Sequence, residues 1–267
     1  MRIGFIGGGV MGEAMVSALL ARGIASPEEV AVCELLPQRR QHLTERYGVR
    51  TEATPDAVVP RAELIVLAVK PQEFEAAAAS LRGRLQEGQT VLSIMAGIPL
   101  RAIVEGLAHQ RAVRAMPNTP AQIGEGMTVW TATPQVDGEA RQAVGRVLAA
   151  LGRELYVEEE KYVDMATAVS ASGPGFVFLL LEALIDGAVH IGFRREVATS
   201  LVLQTVLGSV RYAEKTGRHP AELRAQVTSP GGTTTEGVLV LERGGVRAAI
   251  IEAIAAAYRK TQALGGK

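Results

Sequence analysis

The chain has 267 residues and a mass of 28.2 kDa, which is more than one typical domain and less than two large ones. Its 28 basic and 28 acidic residues cancel, so no global positive field is available to hold a nucleic acid or an anionic membrane. Apolar residues make up 48% of the chain, which excludes disorder as the main state. The single cysteine, Cys33, excludes an intrachain disulfide and a multi-cysteine metal site, and we predict no bound metal.

Short apolar runs alternate with helical patterns over the first half of the chain. The run at 64–69 shows no polar alternation, which is typical of a parallel strand buried on both faces. This rhythm predicts an α/β fold with a Rossmann-type, doubly wound parallel sheet. The predicted strands are 2–6, 30–33, 64–69, 91–94, 113–116 and, as a further candidate, 127–132, and the first two predicted helices are 10–22 and 37–47.

The second half of the chain is predicted to be helical, at 159–170, 175–191, 195–215 and 246–263. We therefore predict a dinucleotide-binding Rossmann domain at 1–155 and an all-helical substrate and dimerisation domain at 156–267. The helices are apolar over wide arcs, and a domain of about 110 residues has little core in which to bury them. Shared burial in a homodimer is the favoured solution, and a compact monomeric bundle is the alternative.

The N-terminus does not show a charged segment followed by a sustained apolar stretch, so we expect a cytoplasmic protein. The most apolar run, 176–193, is interrupted by Glu182, Asp186 and His190. Spanning a bilayer takes about 20 predominantly apolar residues, so a buried or subunit-facing helix is the better interpretation.

A glycine loop at 7–12 connects the first predicted strand to the first predicted helix. Gly7, Gly9 and Gly12 form the G-x-G-x-x-G pattern in the context that dinucleotide-binding loops require. Gly7 permits the tight turn, Gly9 lets the backbone approach a pyrophosphate, and Gly12 permits close packing of the helix. A glycine-rich turn without a ligand is the alternative.

The residues after the second strand give conflicting signals about the cofactor. Glu34 stands where a carboxylate accepts hydrogen bonds from an adenine-ribose 2′-hydroxyl and repels a 2′-phosphate. Arg39 and Arg40 follow closely, and guanidinium groups suit a phosphate. The choice between NAD and NADP therefore stays open.

Three further strands end in residues that are candidates for the dinucleotide site. Ligands of open α/β sheets bind at the carboxyl ends of the strands. Lys70 stands at a loop mouth, near a cofactor phosphate or a substrate carboxylate. Ala96 lies in a small-residue segment that leaves room for a flat ring. Asn118 is bracketed by Pro117 and Pro120, which indicates either an amide positioned near a nicotinamide or simply a rigid turn.

Two breaks interrupt the helical half, at 170–175 (SASGPG) and 227–235 (VTSPGGTTT). The second break, the hydroxyl loop, combines hydroxyl groups with a Pro-Gly-Gly turn before a helix, an arrangement that can bind a carboxylate. Thr233 or Thr234 is alternatively the N-cap of that helix.

These segments together resemble the pyrroline-5-carboxylate reductase family over essentially the whole chain. The residues that carry the resemblance lie at 6–11 (IGGGVM), 68–71 (AVKP), 116–120 (MPNTP), 170–174 (SASGP) and 227–234 (VTSPGGTT). The S-P-G-G-x-T segment is the most specific, since the other motifs are shared more widely among Rossmann reductases. The resemblance implies reduction of a cyclic imine, 1-pyrroline-5-carboxylate, to L-proline by NADPH or NADH, with NADPH slightly favoured. This is the final step of proline biosynthesis.

The resemblance also implies roles for individual residues. Thr234 is the catalytic candidate, through a hydrogen bond to the ring nitrogen. The carboxylate is expected to be held by Ser229, Gly231, Gly232 and Thr233, together with Thr234. The expected cofactor residues are Ile6, Gly7, Gly8, Gly9, Val10, Met11, Ala68, Val69, Lys70, Ala96 and Asn118, with Glu34 and Arg39 as candidates at the ribose.

Two departures from the family pattern bear on cofactor choice. Pro55 stands where family members often carry an adenosine-contacting Asn, and many members have a small or polar residue in place of Glu34. The expected assembly is a homodimer through the helical domain, or a larger assembly of such dimers.

Two rival functions remain. A β-hydroxyacid dehydrogenase requires a lysine in its interdomain helix, and residues 173–180 contain none. A non-catalytic, cofactor-binding regulatory protein on the same fold has no need of the hydroxyl loop.

Overall fold

The computed structural model describes residues 1–265. The chain forms two compact units. The first unit comprises Met1–Pro174 together with the chain from Ala257 onward, and the second unit is Gly175–Ala256. The predicted domain boundary between residues 155 and 156 stays a prediction.

The first unit is built on one eight-stranded sheet with the order β3-β2-β1-β4-β5-β6-β7-β8. All neighbouring pairs are parallel except β6 and β7, which are antiparallel. The strand order reverses between β1 and β4, and this is where ligands bind in doubly wound folds. The strands are β1 (Ile3–Ile6), β2 (Val30–Cys33), β3 (Arg50–Glu52), β4 (Leu64–Leu67), β5 (Thr90–Ser93), β6 (Ala112–Met116), β7 (Gly126–Ala132) and β8 (Gly152–Tyr156).

Eleven α-helices occur in the described residues. The first unit carries α1 (Val10–Ala21), α2 (Pro37–Tyr47), α3 (Phe74–Leu81), α4 (Leu100–Leu107), α5 (Gly138–Ala149) and α6 (Lys161–Ala166). The remaining helices are α7 (Gly173–His190), α8 (Arg195–Thr216), α9 (Pro220–Gln226), α10 (Thr233–Arg243) and α11 (Val246–Gly265).

Both faces of the sheet are covered by apolar residues. Along β4, Leu64 and Val66 pack into one hydrophobic cluster, while Ile65 and Leu67 pack into the other. All four side chains are buried, which explains why this strand has no polar alternation. The structure confirms the predicted Rossmann-type sheet and all six predicted strands, with shifts of one or two residues at their ends.

Sequence patterns missed the two edge strands. The strand β3 reads RTE and β8 reads GRELY, and neither contains an apolar run because each pairs with only one neighbour. The helices α7, α8 and α11 agree with prediction. The single helix predicted at 159–170 is instead divided into the short α6 and a π-helical turn at Thr167–Ala171, and the structure adds α9 and α10.

The second unit has almost no core of its own. Within residues 175–256, Ala198 is the only buried residue. Large apolar side chains are exposed on α7 and α8, including Phe178 at 60% and Leu179 at 65%. One 30-residue helical segment, Lys161–His190, is long and apolar enough to cross a membrane, by length and composition alone. A subunit-facing helix has the same composition, so this segment is weak evidence for a membrane span.

Candidate active site

The glycine loop has the geometry that a dinucleotide loop needs. Gly7 has a positive φ of 102°, and a Cβ atom on it would lie 2.8 Å from the Ala68 carbonyl oxygen. A Cβ atom on Gly12 would lie 2.6 Å from the Gly7 carbonyl oxygen. At Gly9 a Cβ atom would meet nothing within 4 Å. Two of the glycines are therefore required by the fold itself, while Gly9 borders open space.

The helix α1 begins in that open space without a side-chain cap. Its N-cap is Gly9, and no side chain accepts a hydrogen bond from the first turn. The neighbouring residue, Val10, is 68% exposed. Uncapped N–H groups at a helix start, beside a glycine that leaves room for a close approach, fit the pyrophosphate of a dinucleotide.

Glu34 lies at the end of β2, as predicted, and its carboxylate holds the glycine loop. Its Oε2 atom accepts a hydrogen bond from the Gly8 N–H at 3.0 Å, and its Oε1 atom accepts one from the Leu36 N–H at 2.9 Å. The carboxylate therefore faces the loop rather than bulk solvent.

The two arginines after β2 also bind backbone groups. Arg39 donates to the Gly8 carbonyl at 2.6 Å and to the Glu13 carboxylate at 2.7 Å. Arg40 donates to the carbonyls of Glu34 and Leu35, at 2.7 and 2.8 Å. Both guanidinium groups thus stabilise the loops around the glycine loop.

The carboxylate of Glu13, in the first turn of α1, is the centre of a cluster that the sequence did not reveal. It accepts hydrogen bonds from Arg39, from Tyr47 Oη at 3.0 Å, and lies 2.8 Å from His42 Nε2. Burial disfavours its charged form, but the hydrogen bonds from His42, Arg39 and Tyr47 outweigh burial and lower the pKa of Glu13 to about 2. A spacing of 26 to 34 residues between partners gives no local sequence signal.

The predicted residues after β4 and β5 lie on neighbouring strands at the same edge of the sheet. Ala68 donates its backbone N–H to the Ile6 carbonyl at 2.8 Å, which places it beside the end of β1. Val69 and Ala96 are half-buried, whereas Lys70 is exposed. The structure therefore brings the ends of β1, β4 and β5 together around the glycine loop.

Asn118 follows β6, and its side-chain amide makes two contacts within the first unit. Its Oδ1 atom accepts a hydrogen bond from the Met127 N–H at 2.9 Å, and its Nδ2 atom donates to the Ser170 carbonyl at 3.0 Å. One amide N–H remains for another partner, so a contact with a nicotinamide stays a prediction.

A charge cluster forms around the buried guanidinium of Arg114, four residues before Asn118. Arg114 of β6 is 2% exposed, and its guanidinium donates to Glu160 at 2.8 Å and to Asp164 at 2.6 Å. Glu160 also accepts the backbone N–H of Leu100 at 2.7 Å. The sequence analysis missed this cluster, and the signal that could have revealed it is an arginine inside the otherwise apolar strand AVRAM.

The hydroxyl loop lies in the second unit and leads into α10. Gly231 has a positive φ of 69°, and the Thr235 hydroxyl donates to the Ser229 carbonyl at 2.6 Å. A Cβ atom on Gly232 would lie 2.5 Å from Ser229 Oγ, so a side chain there would displace the Ser229 hydroxyl.

The helix α10 starts without a side-chain cap. Its N-cap is Gly232, not Thr233 or Thr234, because the chain is already helical from Thr233 onward. The capping alternative is therefore wrong. Ser229, Thr233 and Thr234 are exposed, and their hydroxyl groups flank an uncapped helix start.

Comparison with known proteins assigns the chain to a family. A curated pyrroline-5-carboxylate reductase from Synechocystis is 43% identical over 267 residues, which cover 100% of this chain and 99% of that protein. The chain belongs to the pyrroline-5-carboxylate reductase family. A family model described as pyrroline-5-carboxylate reductase dimerisation matches residues 160–264, and one described as NADP oxidoreductase, coenzyme F420-dependent, matches residues 2–97.

Solved structures of the family superpose closely. A reductase from Coxiella burnetii has a TM-score of 0.90 and 35% identity, over 98% of both chains. A Plasmodium falciparum pyrroline carboxylate reductase, solved with NADP bound, has a TM-score of 0.91 and 28% identity over 99% of this chain and 98% of that one. The dimerisation model begins just before α6 and ends within α11, so it covers the whole second unit with its exposed apolar residues and supports a homodimer.

Proposed function

We propose that the chain reduces 1-pyrroline-5-carboxylate to L-proline with NADPH or NADH, the final step of proline biosynthesis. The observation that carries this proposal is the hydroxyl loop, which places hydroxyls and free N–H groups at the uncapped start of α10. Family membership over the whole chain supports the same reaction. We also propose that the enzyme works in the cytoplasm, as a homodimer or a larger assembly of dimers.

The first unit is proposed to hold the dinucleotide. The glycine loop and the start of α1 fit its pyrophosphate, since Gly9 leaves the approach open and no side chain occupies the helix start. Ala68, Val69 and Ala96 present small or short side chains at the neighbouring strand ends. When bound, the reduced nicotinamide supplies the hydride that the imine carbon receives.

Cofactor choice is proposed to be decided around Glu34. Its carboxylate suits a ribose hydroxyl. Arg39 and Arg40 carry guanidinium groups that suit a 2′-phosphate, but to bind one they would exchange their present contacts with the carbonyls of Gly8 and Glu34. The Plasmodium relative binds NADP, which favours NADPH for this chain. The contribution of Glu34 to this choice is measured by comparing the affinities of the wild type and of Glu34→Ser for the two dinucleotides.

The second unit is proposed to hold the imine. The Gly232 N–H already donates to the Ser229 carbonyl at 3.0 Å. The carboxylate is therefore bound by the N–H groups and hydroxyls of Ser229, Gly231 and Thr233, while the Thr234 hydroxyl donates a hydrogen bond to the ring nitrogen. The nitrogen gains an electron pair as the carbon is reduced, and a solvent proton completes the amine. Residues 227–235 contain no histidine or carboxylate, in keeping with a reaction that needs no dedicated protein base. Catalysis then comes mainly from orientation and from stabilising the charge that develops at the nitrogen.

The direct test is proline-dependent reduction of NADP or NAD at high pH, together with the forward reaction from the imine. We expect turnover with at least one dinucleotide. Absence of activity with both would rule out the proposed reaction. A regulatory protein binds a dinucleotide without turnover, and a β-hydroxyacid dehydrogenase oxidises hydroxyacids but not proline.

The role of Thr234 is tested by Thr234→Ala. We expect kcat/KM to fall about 30-fold or more, because a hydrogen bond that strengthens in the transition state is lost. The dinucleotide Kd is expected to stay within about twofold. Thr216→Ala is the control, since the Thr216 hydroxyl bonds only to its own helix at Tyr212 and Ala213. Equal turnover in Thr234→Ala and Thr216→Ala would remove Thr234 from the mechanism.

A further inference from the structure

Asn118 contacts an irregular helix turn next to the start of the second unit. The helical segment from Lys161 to His190 is interrupted by a π-helical turn at Thr167–Ala171. The Ser172 N–H donates to the Thr167 carbonyl at 2.9 Å, five residues back instead of four. Such π turns are rare and are frequent at functional sites.

Proline at position 174 leaves one carbonyl of this turn without its α-helical partner. In a regular helix the Ser170 carbonyl accepts the N–H of residue 174, but Pro174 has no N–H. The donor that lies against this carbonyl is the side-chain amide of Asn118, at 3.0 Å. A residue 52 positions earlier in the chain thus supplies the hydrogen bond that the proline removes.

The other end of the same amide is attached to the sheet. Its Oδ1 atom accepts the backbone N–H of Met127, the second residue of β7. Asn118 therefore connects the end of β6 and the start of β7 to the π-helical turn. Arg114, four residues earlier on β6, binds α6 through Glu160 and Asp164, so the sheet holds this helix at two successive points.

We propose that Asn118 is a positioning residue, which fixes the turn at Ser170–Pro174 where the chain leaves the first unit. The proposal rests on the proposed function, because the second unit carries the hydroxyl loop that is expected to hold the imine. A helix start that is free to shift reduces the fraction of bound complexes in reactive geometry, so the effect falls on turnover rather than on dinucleotide binding.

A double-mutant cycle between Asn118→Ala and Pro174→Ala tests the proposal. Pro174→Ala restores an N–H four residues after Ser170, so the Asn118 donor becomes dispensable, whereas the Met127 contact is lost equally in both backgrounds. We expect Asn118→Ala alone to lower kcat about tenfold, with the dinucleotide Kd changed less than about twofold. In the Pro174→Ala background the same substitution is expected to lower kcat no more than about threefold.

Pro220→Ala is the matched control for Pro174→Ala. It likewise replaces a proline at the start of a helix, but Pro220 begins α9 and is distant in sequence from both Asn118 and Ser170. Its effect and that of Asn118→Ala are therefore expected to multiply. For each variant, kcat and KM are measured together with the dinucleotide Kd, by fluorescence titration, and the stability, by thermal unfolding.

The outcomes separate this proposal from the proposed reaction. An active wild type in which the Asn118 and Pro174 effects simply multiply overturns the positioning role and leaves the reaction in place. A large rise in dinucleotide Kd for Asn118→Ala, without rescue by Pro174→Ala, assigns Asn118 to direct cofactor contact instead. An inactive wild type removes the reaction itself and the positioning role with it.

Discussion

Gly9 and Gly12 lie three residues apart in one loop, yet a methyl group meets different surroundings at each. At Gly9 the space is open and φ is −68°, a value that alanine adopts without strain. At Gly12 the methyl group would lie 2.6 Å from a backbone carbonyl oxygen. The fold therefore requires the second glycine but not the first, and we propose that the first is needed for the approach of the dinucleotide pyrophosphate.

This contrast predicts opposite effects of the same substitution. Gly9→Ala is expected to leave thermal unfolding unchanged and to raise the dinucleotide Kd about tenfold or more, because the methyl group stands in the path of the pyrophosphate. Gly12→Ala is expected to lower stability by about 1–3 kcal/mol, since the backbone must shift. Calorimetry measures the stability of each variant, and fluorescence titration measures its dinucleotide Kd. Unchanged dinucleotide affinity in Gly9→Ala would contradict the assignment of the pyrophosphate site.

The sequence predicted that the candidate site residues follow particular strands, but it did not predict their hydrogen-bond partners. Glu34 was expected at the end of β2 and lies there, yet its contact with the Gly8 N–H depends on the folded loop. Asn118 was expected near a nicotinamide, whereas its recognised partners, Met127 and Ser170, are distant in sequence. Hydrogen bonds between residues far apart in the chain leave no local pattern, so the structure is needed to find them.

Among the elements, α1 and α2 are joined by one half-buried carboxylate. Glu13 on α1 binds Arg39, His42 and Tyr47, all on α2. The folded state lowers its pKa to about 2 from an ordinary value of 4.5, so folding favours the charged form. Glu13 therefore contributes stability above about pH 4.5, and that contribution is lost as the pH falls towards 2.

The difference in stability between the wild type and Glu13→Gln is consequently expected to depend on pH. At pH 7 the variant should be less stable by about 2 kcal/mol, a value reduced for partial exposure of the cluster. The two proteins should converge as the pH approaches 2 to 3. Urea unfolding at several pH values measures this, with Glu87→Gln, at an exposed position, as the control. If the difference in unfolding free energy between the wild type and Glu13→Gln stays constant down to pH 3, the charge of Glu13 does not have the stabilising role assigned to it.

Strands and helices with strong apolar patterns could be predicted from the sequence. Strands whose extended conformation depends on hydrogen bonds to a neighbouring strand could not. The central strands β1, β2 and β4 are buried on both sides, so their sequences alone identify them. The edge strands β3 and β8 lack such a pattern, and each is extended because it pairs with one neighbour, β2 or β7. The π turn before α7 is accompanied by Pro174 and by the Asn118 contact, and of these only the proline is visible as a local signal.

At the scale of the whole molecule, the second unit is stable only if its apolar faces are covered. A stretch of 82 residues with one buried side chain cannot offset the entropy of ordering its helices. Within the described chain, Phe178, Leu179 and Leu203 remain 60%, 65% and 47% exposed. The match of residues 160–264 to a dimerisation model assigns the covering surface to a second copy of the chain.

Charged substitutions on these helices are therefore expected to weaken the dimer. Leu179→Glu and Leu203→Glu, made singly, each place a carboxylate on an apolar surface, and burying it without a partner is costly. In sedimentation experiments at least one of them should shift the mass towards half the wild-type value, and its Tm should depend more steeply on concentration. Ile123→Glu is the matched control, because Ile123 is 79% exposed but lies outside residues 160–264. Circular dichroism confirms that the variants retain their helices. If both variants sediment as the Ile123→Glu protein does, the exposed faces of α7 and α8 are not the surfaces that hold the dimer together.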